Sequence, residues 1–207
     1  GSCTVQASQA ATTGYNAIIK TATITVSAPA GGGNDGGDCT WELVTDASTL
    51  AAGDRIVIAA SEANYAISTT QNNNNRAQVE ITKSNDKKTI SAPGSTVQII
   101  TLEAGTVSGT LAFNVGSGYL YAASSGSNYL RTETTLSPNS SWAITIESTG
   151  VATIKAQGTN TRNWLRYNSS SSIFSCYNNG QGDVVIYKEI CAKELTNYRT
   201  FCDVVCD

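Results

Sequence analysis

Short segments in which apolar and polar residues alternate run along most of the chain, and this pattern is typical of half-buried β-strands. Between residues 41 and 189, three stretches close in the same way, on an apolar run that ends in glutamate. These runs are Ile99–Glu103, Ala143–Glu147 and Val184–Glu189, and their glutamates recur at intervals of 44 and then 42 residues. A period of this size indicates repeated supersecondary units, none of which can bury its own apolar face.

Each of the three units contains the same succession of segments. A first strand leads to an aromatic residue that opens a second strand, and a short third strand precedes the closing run. The first strands are 55–58, 111–113 and 152–154, the opening aromatic residues are Tyr65, Tyr119 and Trp164, and the third strands are 77–81, 129–132 and 173–176. Clusters of Ser, Asn and Gly separate these segments, and residues 47–52 form at most a turn.

Three units of four short strands predict an all-β fold of the β-trefoil type, a closed six-stranded barrel capped by three hairpins. Closing the barrel leaves no open sheet edge, which would otherwise invite aggregation. A two-sheet sandwich and a single broad barrel without threefold symmetry are the alternatives.

The first thirty residues predict an additional β-hairpin, with strands at Cys3–Ala7 and Thr21–Val26. A strand, a loop that ends in Tyr15-Asn16-Ala17 and a Thr-rich strand resemble the terminal hairpin of a bacterial immunoglobulin-like domain. A Gly-rich stretch follows and is a flexible linker by composition. The predicted organisation is the hairpin at 1–30, the linker at 31–39, the trefoil-like domain at 40–190 and a Cys-containing tail or linker at 191–207.

Composition narrows the possible functions. Only 14% of the 207 residues are charged, so the surface consists of Ser, Thr, Asn and Gly, as in many extracellular β-proteins. A net charge of -3 provides no basic field for nucleic acid. The chain has no histidine, which excludes Ser-His-Asp and Cys-His catalysis and removes the commonest metal ligand. No apolar run approaches the ~20 residues of a membrane helix.

The even number of cysteines indicates disulfides in an exported protein. The six are Cys3, Cys39, Cys176, Cys191, Cys202 and Cys206. In a closed barrel the first and last strands are antiparallel neighbours. Because Cys39 precedes the strand that Trp41 opens and Cys191 follows the last strand, we predict a Cys39–Cys191 disulfide. Cys176 is predicted to be a buried free thiol, the pairing of the other three stays open, and no metal site is predicted.

Proteins bind sugars by covering the apolar face of the sugar with an aromatic ring and bonding its hydroxyls with polar side chains. Tyr119 and Trp164 open equivalent strands, so we predict that they are core or barrel-cap residues rather than sugar platforms. Tyr121 and Arg166 share a face with them, and which face is buried stays open. The predicted ligand-binding residues lie in irregular loops instead: Tyr167, Tyr177, Asn178, Asn179 and Tyr129.

No catalytic residue and no cofactor are predicted. The closing glutamates, Glu103, Glu147 and Glu189, are interpreted as equivalent strand ends around a threefold axis. At such positions they would be too far apart for the paired carboxylates of a glycosidase.

The repeated region also resembles a domain of uncharacterised secreted and surface proteins of gut Bacteroidetes. The resemblance rests on the Trp41 strand, Gly53-Asp54, the GYLY element at 118–121 and the closing Tyr187-Lys188. It implies a secreted or cell-surface location and extracellular neighbouring domains, and no particular activity.

The leading functional prediction is a non-catalytic extracellular module that binds carbohydrate or mediates adhesion. Its partners would be glycans or host or cell-surface proteins, without nucleic acid or membrane insertion, and the chain would be a monomer. A purely structural spacer is the alternative, and a glycan-degrading hydrolase is the third possibility.

Overall fold

β-Strands make up nearly all the regular structure in the part of the chain that the computed structural model describes, which is residues 2–9, 13, 18–25 and 39–191. The strands are β1 (Ser2–Gln9), β2 (Ile18–Thr25), β3 (Cys39–Leu43), β4 (Arg55–Ala60), β5 (Tyr65–Gln71), β6 (Arg76–Glu80), β7 (Thr89–Ile90), β8 (Ile100–Ala104), β9 (Leu111–Asn114), β10 (Tyr119–Ala122), β11 (Leu130–Glu133), β12 (Ser141–Ile146), β13 (Val151–Ala156), β14 (Trp164–Asn168), β15 (Ile173–Tyr177) and β16 (Val184–Cys191). Two single turns of 3-10 helix lie at Ala47–Thr49 and Pro138–Ser140. Within these residues no helix is long and apolar enough to cross a membrane.

The N-terminal hairpin is present as the antiparallel pair β1–β2, with Ser2 opposite Thr25 and Gln9 opposite Ile18. Its resemblance to an immunoglobulin-like domain stays a prediction. Residues 31–38 of the predicted linker and residues 192–207 of the predicted tail, with Cys202 and Cys206, lie outside the described residues, as does the side chain of Cys3. Residues 39–191 form a compact unit of their own, and the site lies there.

Six strands of that unit pair in a closed circuit, which runs β4, β8, β9, β12, β13, β16 and back to β4. The register repeats three times, since Ile56 lies opposite Ile100, Leu111 opposite Trp142, and Ala152 opposite Val184. Three hairpins, β5–β6, β10–β11 and β14–β15, complete the three units. Unit 1 is β4, β5, β6 and β8, unit 2 is β9–β12, and unit 3 is β13–β16. The trefoil-like fold predicted from the sequence is confirmed, and the two alternatives are wrong.

The hydrophobic core lies inside the ring. Alternate residues of the ring strands point into it, as strand geometry requires. Trp142 stacks on Phe113 with ring centroids 5.3 Å apart. Its indole Nε1 donates a hydrogen bond of 3.1 Å to the carbonyl oxygen of Leu120, so the one polar atom of this side chain has a partner. Both rings are fully buried.

Unit 1 carries an additional layer outside the ring. β3 pairs with the C-terminal half of β16, on the edge opposite β4, and β7 pairs with β3. Trp41, Ile81, Ile90 and Val97 then cover the outward face of β4 and β5 and form a second apolar cluster. The sequence interpretation of the Trp41 strand as a barrel strand is therefore wrong, because β4 occupies that place in the ring.

The disulfide between Cys39 and Cys191 is nevertheless present, since these two residues pair directly on β3 and β16. Cys176 is a free and fully buried thiol, as the sequence predicts, and burial raises its pKa.

Two of the predicted equivalences are shifted in register. Glu103 pairs with Ala112 on the ring, which makes it equivalent to Thr145 and Tyr187 rather than to Glu147 and Glu189. In unit 1 the residue equivalent to Tyr119 and Trp164 is Ala66 and not Tyr65. The sequence analysis matched the three units by residue type, whereas the equivalent positions in the ring are determined by hydrogen-bond register.

Candidate functional site

The outward face of each hairpin and of the ring strands beside it is the surface on which the three units differ most. At the hairpin of unit 1 this face consists of Val57, Ala59, Ala66 and Val79 together with Tyr187 of the neighbouring β16, and β3, β7 and residues 81–99 cover it. The corresponding segments that join the third and fourth strands of units 2 and 3, at 134–140 and 178–183, are much shorter. Tyr119, Tyr121 and Trp164 on the equivalent faces of units 2 and 3 are therefore partly exposed, although Ser175 and Tyr177 on the β15 side of unit 3 are buried.

The open face of unit 2 presents three partly exposed tyrosines, and we call it the tyrosine face: Tyr119, Tyr121, Tyr129, Arg131 and Glu133. Tyr119 lies opposite Glu133 and Tyr121 opposite Arg131 across β10 and β11. The backbone bond from Ala123 N to Tyr129 O extends this pairing and keeps Tyr129 on the same face. The Arg131 guanidinium lies 4.6 Å from the centroid of the Tyr129 ring, a cation–π contact.

A glycine fixes the beginning of this face. Gly118 has a φ of +143°, and a Cβ there would collide with the backbone carbonyl of Glu133. Only glycine allows β10 to approach β11 this closely, and the approach sets Tyr119 opposite Glu133. This close approach is the physical reason for the glycine of the GYLY element at 118–121.

A carboxylate stands beside the Tyr119 ring with its orientation fixed. Glu103 Oε2 accepts a hydrogen bond of 2.8 Å from the Tyr119 hydroxyl, and Oε1 accepts one of 2.6 Å from Asn114 Nδ2. Asn114 is held in turn, because its Oδ1 accepts the backbone N–H of Gly116 at 2.7 Å. These bonds to Asn114 and Tyr119 lower the pKa of Glu103, so it stays ionised at neutral pH. Each carboxylate oxygen keeps a lone pair for a ligand hydroxyl.

The asparagine-rich loop before β6 holds the other end of the tyrosine face. Arg131 Nε donates to Asn74 Oδ1 at 3.0 Å and to the carbonyl oxygen of Asn73 at 3.1 Å. Leu130 N donates to the carbonyl oxygen of Asn74 at 2.8 Å. This loop at 72–75 therefore positions the Arg131 guanidinium.

The open face of unit 3 is centred on Trp164, and we call it the tryptophan face: Lys155, Trp164, Arg166 and Tyr177. Lys155 Nζ lies 5.5 Å and the Arg166 guanidinium carbon 5.1 Å from the Trp164 ring centroid. Arg166 also forms an ion pair with Asp183, from the loop after β15. Trp164 is partly exposed, as Tyr119 is.

The prediction that the first two site residues, Tyr167 and Tyr177, lie in loops is wrong. Tyr167 and Tyr177 lie within β14 and β15 and not in loops, and they are only 6% and 5% exposed. Tyr167 points into the core, where its ring contacts Phe174 and burial raises its pKa. The Tyr177 hydroxyl is occupied by a hydrogen bond from Asn168 Nδ2 at 3.0 Å.

The remaining predicted residues are accessible. Asn178 and Asn179 are exposed in the loop that follows β15, beside the tryptophan face, and Tyr129 belongs to the tyrosine face. Asn178 and Asn179 belong to unit 3, whereas Tyr129 belongs to unit 2.

Of the two roles predicted for Tyr119 and Trp164, the core role is wrong, because both residues begin strands of the hairpins that cap the ring. They are partly exposed, while their neighbours Leu120 and Leu165 are fully buried. Strict alternation of an aromatic residue with leucine was the signal that could have found them, once the inward face was known.

Potential metal ligands converge at one place in residues 39–191, where Cys39 and Cys191 meet Glu189. The two sulfurs are bonded to each other, so neither is available as a thiolate ligand. Both carboxylate oxygens of Glu189 accept hydrogen bonds from Arg55, at 2.7 and 2.8 Å. This cluster therefore stabilises the junction of β3, β4 and β16.

The comparison with solved structures supports the fold. A structure named "BEL beta-trefoil apo crystal form 3" matches 72% of this chain and 100% of its own, with a TM-score of 0.51 and 16% identity. At that identity the likeness concerns the fold alone. The described unit is a β-trefoil.

Two further matches are weaker and carry no argument. A Polyporus squamosus lectin, solved with the human-type influenza-binding epitope Neu5Aca2-6Galb1-4GlcNAc, has a TM-score of 0.48 at 14% identity over 67% of this chain and 50% of its own. The lysenin pore has a TM-score of 0.44 at 13% identity over 83% of this chain and 52% of its own. This β-trefoil chain therefore spans about half the length of each.

No protein-family model matches the sequence, and no curated protein matches it. The resemblance to the Bacteroidetes domain accordingly stays a prediction, as does the immunoglobulin-like assignment of the N-terminal hairpin.

Proposed function

We propose that this β-trefoil is a non-catalytic carbohydrate-binding module and that the tyrosine face of unit 2 is its binding surface. One observation carries the proposal: the outward hairpin face that is apolar and covered in unit 1 is open in unit 2, where it presents Tyr119 beside the oriented carboxylate of Glu103.

The chemistry of this face suits a neutral sugar. The C–H face of a pyranose packs against an aromatic ring, and its hydroxyls need acceptors and donors at fixed positions. Tyr119 and Tyr121 supply rings on one strand, and Glu103 supplies an acceptor for two adjacent hydroxyls. Because Asn114 and Tyr119 already orient the carboxylate, little side-chain entropy is lost when the sugar binds.

A purely structural spacer is less well supported. A spacer predicts a smooth Ser and Thr surface without an aromatic cluster, whereas three partly exposed tyrosines share one face of β10 and β11.

A retaining or inverting hydrolase needs one carboxyl group with a raised pKa to act as general acid. The hydrogen bonds to Glu103 lower its pKa, so they oppose that role.

The proposal includes a secreted or cell-surface location and a monomeric state, with glycans of a host or cell surface as partners. An exposed disulfide supports an oxidising compartment, since such bonds are rarely kept in the cytosol. The low charged fraction of the chain is consistent with the same location. Adhesion would follow if the glycan is displayed on another cell.

The test is a glycan array of host-mucin and plant polysaccharides, followed by calorimetry with the strongest neutral saccharide. Glu103→Gln keeps the shape of the side chain and removes its charge, so we expect about tenfold weaker binding, because hydrogen bonds to a charged acceptor contribute about 1.5 kcal/mol or more. Tyr119→Ala should abolish detectable binding.

Glu80→Gln is the matched control, since Glu80 is an exposed strand glutamate of unit 1. It should bind like the native chain. An array without any hit, or binding that survives both Glu103→Gln and Tyr119→Ala with the fold intact, would refute the proposal.

A further inference from the structure

The two open faces occupy equivalent positions in units 2 and 3 but carry opposite charge. The ring and hairpin registers align five pairs of positions, each given with the residue at the tyrosine face first and its counterpart at the tryptophan face second. The pairs are Glu103 and Thr145, Asn114 and Lys155, Tyr121 and Arg166, Arg131 and Ser175, and Glu133 and Tyr177. The aromatic residue at the centre is retained, as Tyr119 in unit 2 and Trp164 in unit 3.

The substitutions remove every carboxylate from these positions of the face and add two cations. At the tyrosine face the five positions hold two carboxylates and one guanidinium. At the tryptophan face they hold Lys155 and Arg166 and no acidic group. A ligand hydroxyl that needs the carboxylate of Glu103 finds only Thr145 at the tryptophan face. A ligand anion would be repelled at the tyrosine face and attracted at the tryptophan face.

One acidic residue reaches the tryptophan face from outside these positions, and its geometry supports the same conclusion. Asp183 pairs with Arg166, but the Asp183 side chain is 53% exposed while that of Arg166 is only 11% exposed. The guanidinium is therefore fixed against the protein, whereas its carboxylate partner lies mostly in water. An ion pair with one partner this exposed contributes little, so a ligand carboxylate can replace Asp183 at small cost.

We propose that the tryptophan face is a second, separate site that binds saccharides bearing a carboxylate, such as uronic acids. The sugar ring packs on Trp164, its carboxylate takes the place of Asp183 on Arg166, and Lys155 adds a second positive charge. This inference rests on the proposed function, because it assumes that the open hairpin faces bind sugars. The chain is then bivalent, with one neutral and one acidic saccharide site on the same module.

The test compares trigalacturonate with its carboxyl-reduced counterpart, trigalactose, by calorimetry on the full chain at low salt. We expect trigalacturonate to bind at least tenfold more tightly to the native chain. Trp164→Ala should abolish its binding. Lys155→Gln should weaken it about fivefold, and Lys88→Gln, which removes an exposed lysine of unit 1, should not change it. Asp183→Asn should tighten it, because the competing carboxylate is gone.

The possible failures separate the two proposals. Equal affinity for trigalacturonate and trigalactose, with both lost in Trp164→Ala, would overturn the acidic specificity while leaving sugar binding intact. Tighter binding of a sulfated galactose trisaccharide would overturn the assignment to carboxylates. Trigalacturonate binding that is lost in Glu103→Gln but retained in Trp164→Ala would overturn the second site. Absence of binding by every saccharide would refute the proposed function itself.

Discussion

Removal of the Cys39–Cys191 disulfide should cost the β-trefoil a large share of its stability. The two cysteines are 152 residues apart in the sequence. A cross-link that closes a loop of this length reduces the entropy of the unfolded chain by about 5 kcal/mol at 25 °C in the chain-entropy model. In the folded state the bond joins a pair that is already opposite on β3 and β16, so breaking it leaves the native pairing in place.

The assay is urea unfolding of the Cys39→Ala, Cys191→Ala double variant and of the native chain without reductant. All three tryptophans lie in residues 39–191, so their fluorescence reports on this unit. With a slope of about 2 kcal/mol per molar urea, the midpoint should fall by about 2.5 M. Reductant should shift the native chain in the same way and leave the double variant unchanged, which controls for the other cysteines. A loss under about 1 kcal/mol would refute the reasoning, because it would mean that the bond does not restrict the unfolded chain.

Three further predictions concern the interior and the pH dependence. Arg76 is 3% exposed and occupies the position equivalent to Leu130 and Phe174, so Arg76→Ala should lose about 3 kcal/mol in urea unfolding, and Arg76→Leu should lose less because its counterparts are apolar. Trp142→Phe removes the indole that bonds the Leu120 carbonyl and leaves a cavity, and should cost about 2 kcal/mol, measured as a lower Tm. Burial lowers the pKa of Lys83 to about 8, so the unfolded chain binds the extra proton between pH 8 and 10.5, and the free energy of unfolding should rise with pH across that window. Lys83→Met should remove the rise, and an equal slope in the variant would contradict this cause.

Most of the fold could be predicted from the sequence, because the local alternation of apolar and polar residues and the turn residues between them mark strands well. The first, second and third strands of each unit were found within a few residues, as was the pairing of Cys39 with Cys191. The register of the ring was not accessible in the same way. It depends on hydrogen bonds between distant strands, and a shift of one residue exchanges Tyr65 for Ala66 at the position of Trp164.

The site was harder to predict, since alternation separates two faces of a strand without saying which one is covered. Tyr119 and Trp164 stay partly exposed only because no counterpart of β3 and β7 covers units 2 and 3. That cover comes from residues 81–99 and from β3, far from either aromatic residue in the sequence. Tyr167 and Tyr177 were expected in loops because Asn and Ser surround them, yet their strands extend into those polar clusters.

The central claim is that neutral saccharide binds on the tyrosine face, and NMR titration of the isotopically labelled full chain tests it most directly. Addition of the strongest neutral saccharide from the array should shift the amide signals around Glu103, Asn114, Tyr119 and residues 129–133, and leave those of the covered face of unit 1 in place. Shifts confined to that covered face, or to the loop at 178–183, would contradict the account.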